Sequence, residues 1–146
     1  VPVLTRRAAL ASLSASVLVR PARAESEDMA RAILAFTSGV PPQPGLVVLD
    51  IAPLVENGNS VSVTAGLAVG ATLPAPVIAL ALFNEKNPQP NVLTAQFGPR
   101  AAAPQLATRI RLATTQHIAA VAKLANGACY IDRKEVIVTI AACTEE

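Results

Sequence analysis

The sequence predicts an all-β chain: an antiparallel β-sandwich of about seven strands with one N-terminal helix. Three observations carry this reading. From Leu46 onward apolar residues recur with a period of two; the runs they form are short and separated by turn-rich stretches such as Glu56-Asn57-Gly58-Asn59 and Asn87-Pro88-Gln89-Pro90; and only residues 26–38 carry a convincing helical spacing. A chain that is 52% hydrophobic and 15% charged is not a disordered one. With 3% aromatics and no Trp, its core must be built from Val, Leu, Ile and Ala. Its 146 residues suit a single domain.

Residues 1–24 read as a signal peptide. Thr5-Arg6-Arg7 precedes Ala8 to Val19, a stretch made only of Ala, Leu, Ser and Val, and Ala22-Arg23-Ala24 offers the small residues a signal peptidase reads. The paired arginines before a weakly apolar segment suggest the twin-arginine route and a periplasmic destination, although Ala8-Ala9-Leu10 fits its usual pattern only in part. No other segment approaches the roughly 20 apolar residues of a membrane span. The leader holds Arg6, Arg7, Arg20 and Arg23 and no acid, so its removal leaves eight of twelve basic residues against ten acidic ones, about −2 in place of +2. The remaining cations are scattered and lack interleaved aromatics, which excludes nucleic acid as a partner.

Ser26 can cap the predicted helix, Glu27 and Asp28 occupy the first turn, and Met29, Ile33 and Phe36 share a face before Gly39 ends it. Val40-Pro41-Pro42-Gln43-Pro44-Gly45 stops any continuation. The strands follow at Leu46 to Ile51, Val61 to Val69, Val77 to Phe83, Val92 to Phe97, Leu106 to Leu112, His117 to Leu124 and Ala128 to Ile140. Val61, Val63, Ala65, Leu67 and Val69 form one inward set; Leu106, Thr108, Ile110 and Leu112 form another. Val77 to Phe83 is apolar on both faces and Ala119 to Ala122 nearly so, which calls for something to cover the outer face: a partner, the N-terminal helix or a long loop.

Asn126-Gly127 predicts a type I′ hairpin that places Cys129 at the start of the final strand and Cys143 just past its end. Even with a bulge at Asp132-Arg133-Lys134, that strand keeps the two thiols far beyond the roughly 7 Å between Cα atoms that a disulfide tolerates. Cys129 then reads as a small buried hydrophobe and Cys143 as an unpaired thiol in a polar tail, Ala141 to Glu146. His117, the only histidine, falls at a strand start near Val136 and reads as a packing or surface residue. Arg109 and Arg111 could line an anion route, but alternation on an exposed strand explains them equally well. No paired carboxylates, metal-ligand spacing or phosphate loop emerges, so neither catalytic residues nor a metal or cofactor is expected.

Four separated runs carry a family resemblance: Glu56-Asn57-Gly58-Asn59-Ser60-Val61-Ser62-Val63, Lys86-Asn87-Pro88-Gln89-Pro90, Thr108-Arg109-Ile110-Arg111-Leu112-Ala113, and Lys134-Glu135-Val136-Ile137-Val138-Thr139-Ile140 leading to Cys143. In that order they resemble SoxY, the sulfur-carrier subunit of periplasmic thiosulfate oxidation. The resemblance implies an immunoglobulin-like sandwich over residues 25–140 and a C-terminal cysteine arm over 141–146. It also implies a heterodimer with a SoxZ-like subunit and covalent attachment of sulfur intermediates to Cys143, which other sulfur-oxidising enzymes act upon. The carrier itself would not be an enzyme.

The arm departs from the Gly-Gly-Cys-Gly-Gly ending of SoxY and is closer to the Ala-Ala-Cys-Ile-Glu arms of SoxY-related proteins. Ala141 and Ala142 restrict the backbone where glycine would not, and Glu145 and Glu146 disfavour a thiolate at Cys143. An arm of about six residues would still reach roughly 20 Å. Two other classes stay open: a SoxY-like interaction module that pairs with a SoxZ-like partner and carries nothing, and a thiol redox protein, which the lack of a Cys-x-x-Cys pair disfavours.

Overall fold

The computed structural model describes residues 26–142, which fold as one helix and two packed β-sheets. The predicted signal peptide and Cys143 with the residues after it lie outside the described residues.

Helix α1, Glu27–Phe36, begins as its sequence dictates: Ser26 Oγ accepts from the Met29 N–H at 3.3 Å, and Gly39, at φ +82°, follows its last turn. The strands are β1 (Gln43–Pro44), β2 (Val47–Ile51), β3 (Leu54–Asn57), β4 (Val61–Leu67), β5 (Val77–Asn84), β6 (Asn91–Gln96), β7 (Leu106–Ile110), β8 (Gln116–Leu124) and β9 (Cys129–Ile140). One sheet runs β1-β9-β8-β5-β6 with β3 also paired to β9; the other is β2-β4-β7. Period-two alternation brings Val47, Leu49, Ile51, Val61, Val63 and Ala65 from the small sheet against Leu80, Leu82, Ile118, Ala120 and Val136 from the large one.

The seven predicted strands all form, and two short ones join them. Both β1 and β3 run parallel to β9, pairing Gln43 with Tyr130 and Leu54 with Ile137, so the sandwich is antiparallel except along this edge. Proline suits β1 because an edge strand has no need of every N–H.

Three local expectations are corrected. Strand β4 ends at Leu67, and Val69 is fully exposed in the turn that follows, where Gly70 takes φ +73°. The β8–β9 hairpin is not type I′. The Gly127 N–H donates to the Leu124 carbonyl, Leu124 pairs with Ala128, and Gly127 alone in the loop takes positive φ, +86°, as in a type I turn followed by a glycine bulge. Pairing of β9 with β8 also runs unbroken from Cys129 to Val136, so the expected bulge at Asp132 to Lys134 is absent. Asp132 instead stays in register and its carboxylate accepts the Leu49 N–H at 2.8 Å, tying the two sheets together.

The outer face of the large sheet is covered by α1. Met29 and Ile33 pack on Ala81, Phe83, Ala119, Val121 and Ile131, with Phe36 edge-on to Phe83 at 5.9 Å between ring centroids. The alanines at 81 and 119 let the helix lie close, which explains strands that are apolar on both faces. Among the described residues no helix is long and apolar enough to cross a membrane. Met29 is fully buried, so Met29→Ala is expected to destabilise the fold by about 2–5 kcal/mol, while Arg31→Ala on the exposed face of the same helix changes it by less than about 0.5 kcal/mol. Urea denaturation of the two variants checks this.

Candidate functional site

Strand β9 delivers the chain to Cys143, so the site is built from whatever holds the end of β9. On one edge, β3 pairs Val55 with Val138 and Asn57 with Ile140, and Thr139 Oγ donates to the Glu56 carbonyl at 3.1 Å. From the other side Thr115 Oγ accepts the Val138 N–H at 3.0 Å. Beyond the strand, the Ala142 N–H donates to the Leu112 carbonyl at 3.1 Å, and Ala142 is buried.

Gly58 sits where these segments meet. Its N–H donates to the Ile140 carbonyl at 2.9 Å and its carbonyl accepts from the Leu112 N–H at 2.8 Å. The chain is therefore held as far as Ala142, two residues into the six-residue tether expected from sequence. Leu54, Ile137 and Ile140 leave exposed apolar surface on the same strand pair.

A polar network fixes Leu112 from behind. Asn87 Nδ2 donates to the Arg111 carbonyl at 2.7 Å, while Asn87 Oδ1 accepts from the Ala113 N–H at 3.1 Å and from Gln116 Nε2 at 2.8 Å. Gln116, buried, accepts through Oε1 from the N–H groups of Glu85 and Lys86. Sequence reasoning singled out the Lys86 to Pro90 loop as a turn-rich separator and as part of a resemblance. Its physical role is to brace the segment on which Ala142 docks, and a buried Gln beside an Asn-Pro loop was the signal available for it.

His117 lies against Glu85. Its backbone N–H donates to Glu85 Oε2 at 3.0 Å and its ring Nδ1 lies 2.9 Å from the same oxygen, which a carboxylate can only receive as an N–H donor. Burial alone would raise the Glu85 pKa, but the two His117 bonds, together with the positive charges of Lys86 and His117, outweigh it and hold the carboxyl below its ordinary value. His117 is thus a structural partner, and its cross-strand neighbour is Glu135, with Gln116 opposite Val136. Cys129 is buried as expected, donates weakly to the Gly127 carbonyl at 3.6 Å, and has its thiol pKa raised by burial despite nearby Lys123. Arg109 and Arg111 are exposed; Arg111 borders an open hollow beside the Asn87 loop and Arg109 lies opposite Ser62. Among the described residues no group of three or more His, Cys, Asp or Glu could hold a metal ion.

Two packed sheets, with one helix on the outer face and a last strand held at both edges, define an immunoglobulin-like β-sandwich. The particular family follows from comparison. The family model described as sulfur oxidation protein SoxY matches residues 33–143, and this chain belongs to that family. The sulfur carrier protein SoxY from Chlorobium limicola is similar in structure, with a TM-score of 0.64 and 26% identity, covering 77% of this chain and 97% of that one. A superoxide reductase (neelaredoxin) from Ignicoccus hospitalis shares the fold at a TM-score of 0.53 and 18% identity, covering 81% of this chain and 92% of its own. A search of the curated proteins finds no match.

Two outcomes are expected at this end of the sandwich. Asn87→Ala takes from the Arg111 carbonyl and the Ala113 N–H their Asn87 partner and from Gln116 Nε2 one of its two acceptors, and costs about 1–3 kcal/mol, read by thermal denaturation. For Glu85, a folded-state pKa below the unfolded value means that its ionised form stabilises the fold above about pH 4.5, and that this contribution is lost as pH falls through the lowered folded pKa. The stability gap between wild type and Glu85→Gln is accordingly widest above that pH and closes in acid; urea titrations at pH 3 to 7 read it.

Proposed function

We propose that this protein is a periplasmic sulfur carrier that holds sulfur intermediates covalently on Cys143 while separate enzymes of thiosulfate-type oxidation act on them, and that it works as a heterodimer with a SoxZ-like subunit. The observation that carries the reading is that the family match extends through Cys143, while the other cysteine, Cys129, is buried in the sandwich. The exposed Leu54, Ile137 and Ile140 are apolar surface suited to contact with a partner. An export signal over residues 1–24 supports the periplasmic setting.

The chemistry asks one atom of this chain. With thiosulfate as cargo, the Cys143 thiol and the outer sulfur of thiosulfate form an S–S bond; the thiol proton is released and two electrons pass to an acceptor in the loading enzyme. The cargo is then worked on while attached. The carrier contributes a nucleophilic sulfur and a rigid mount, and no catalytic group. Glu145 and Glu146 beside that sulfur disfavour both the thiolate and an anionic adduct, so the loading enzyme supplies compensating cations.

Intact-mass measurement of the mature protein isolated from cells oxidising sulfur compounds, before and after reductant, tests this. Reducible additions, absent from Cys143→Ser, are expected, and their masses identify the cargo. An unmodified thiol, together with partner binding that is indifferent to the substitution, would leave a non-carrying interaction module in place of the carrier.

A further inference from the structure

The last residue before the reactive cysteine is held more firmly than a tether requires. Three backbone hydrogen bonds run in series: Gly58 N–H to Ile140, Leu112 N–H to Gly58, and Ala142 N–H to Leu112. They join the end of β9, in the large sheet, to the β3–β4 turn and the segment after β7, both of which cross between the two sheets. Ala142 is only 7% exposed at their meeting point.

The junction closes because residue 58 has no side chain. A Cβ there would lie 2.4 Å from the Leu112 carbonyl oxygen, 3.1 Å from the Ala142 nitrogen and 3.1 Å from Val138 Cγ1. Two of those atoms are backbone, and the first contact is closer than real Cβ atoms come. The residue has no positive φ, so close approach, not a special turn, is what requires glycine.

We propose that Gly58 and the Leu112 carbonyl are positioning residues for the Cys143 sulfur. By clamping Ala142 they set the thiol one residue from the end of the sandwich. Cys143 Cα is then about 3.8 Å from that of Ala142, whereas a chain released back to Ile140 could carry it over about 10 Å. A client that acts on Cys143 must then come to the end of β9, or open the clamp to draw the chain away from it. This consequence rests on the carrier reading; the clamp itself does not.

The test uses a nitroxide label on Cys143 in a Cys129→Ala background, comparing the parent with Gly58→Ala and Ala142→Pro. Proline removes the single N–H that Leu112 accepts and lies at the last held residue, so it leaves the sandwich folded. In the parent a restrained spectrum is expected. In both variants the label should tumble several-fold faster, with Ala142→Pro still unfolding cooperatively and its melting temperature lowered by only a few degrees. In Gly58→Ala the Ala142 amide should also exchange with deuterium about fivefold faster or more, the loss of one hydrogen bond. If Gly58→Ala fails to fold, Ala142→Pro decides alone. A parent label already as mobile as in Ala142→Pro overturns the proposal. Sulfur loading is not part of the readout, so a failed clamp leaves the carrier reading standing, and a thiol that never loads leaves the clamp standing.

Discussion

Twelve consecutive residues of β9 need partners for their backbone groups on both edges, and much of the architecture satisfies that one requirement. Strand β8 serves one edge from Cys129 to Val136. The other edge takes two short parallel pieces, β1 beside Tyr130 and Ile131 and β3 beside Ile137 to Ile140. Where β8 stops, Thr115 Oγ takes over at Val138, and where β3 stops, Gly58 takes over at Ile140. A strand this long would otherwise end in frayed backbone just before Cys143. Its pairing with β8, β1 and β3, completed by Thr115 and Gly58, makes its end one of the fixed points of the molecule.

The polar groups at this end of the sandwich serve the same purpose at one remove. A loop such as 111–116 crosses between sheets and has no ladder of its own, so its backbone groups are satisfied by Asn87, and Asn87 is in turn oriented by buried Gln116. Gln116 also collects the N–H groups of Glu85 and Lys86, and Glu85 receives His117. Among the described residues no buried side-chain polar atom lacks a partner. A network so fully satisfied is rigid, and a gap in it would be costly at every neighbouring group. The Leu112 carbonyl that receives Ala142 is thus fixed in space by side chains that never touch the arm.

How much of this could be read from sequence depended on which atoms do the work. Strands β2, β4 and β7 were legible because their side chains alternate, β5 and β8 because they are short apolar runs bounded by turn signals, and α1 because Met29, Ile33 and Phe36 share a face. Strand β1 hid in a proline run and β3 in a segment with two apolar residues before a turn signal; both are made by the needs of β9 and not by their own pattern. Asn126-Gly127 announced a hairpin correctly but not its type, because only Gly127 takes positive φ. The outer-face apolar strands left helix and partner open, and packing decided for the helix. At the candidate site, Cys143 was legible as a residue type out of place. The clamp was not: its donors and acceptors are peptide groups, and its key residue, Gly58, contributes by having no side chain at all.

The alanines before the cysteine gain a physical meaning from this geometry. Ala142 buries its methyl group against the junction, which is worth up to about 0.8 kcal/mol, and alanine has fewer unfolded conformations to lose than glycine, worth roughly 0.4–1 kcal/mol where the backbone suits it. Together these favour the clamped root by about 1–2 kcal/mol over a glycine at the same position, on the order of a tenfold shift in its population. Glycines before the cysteine, as in the Gly-Gly-Cys-Gly-Gly ending, favour an arm that leaves the sandwich readily. Ala141-Ala142 favours one that stays on it. On the proposed carrier role, whatever acts on Cys143 would need a surface that fits over the end of β9, where Leu54, Ile137 and Ile140 stand exposed, in place of a deep channel that an arm can thread.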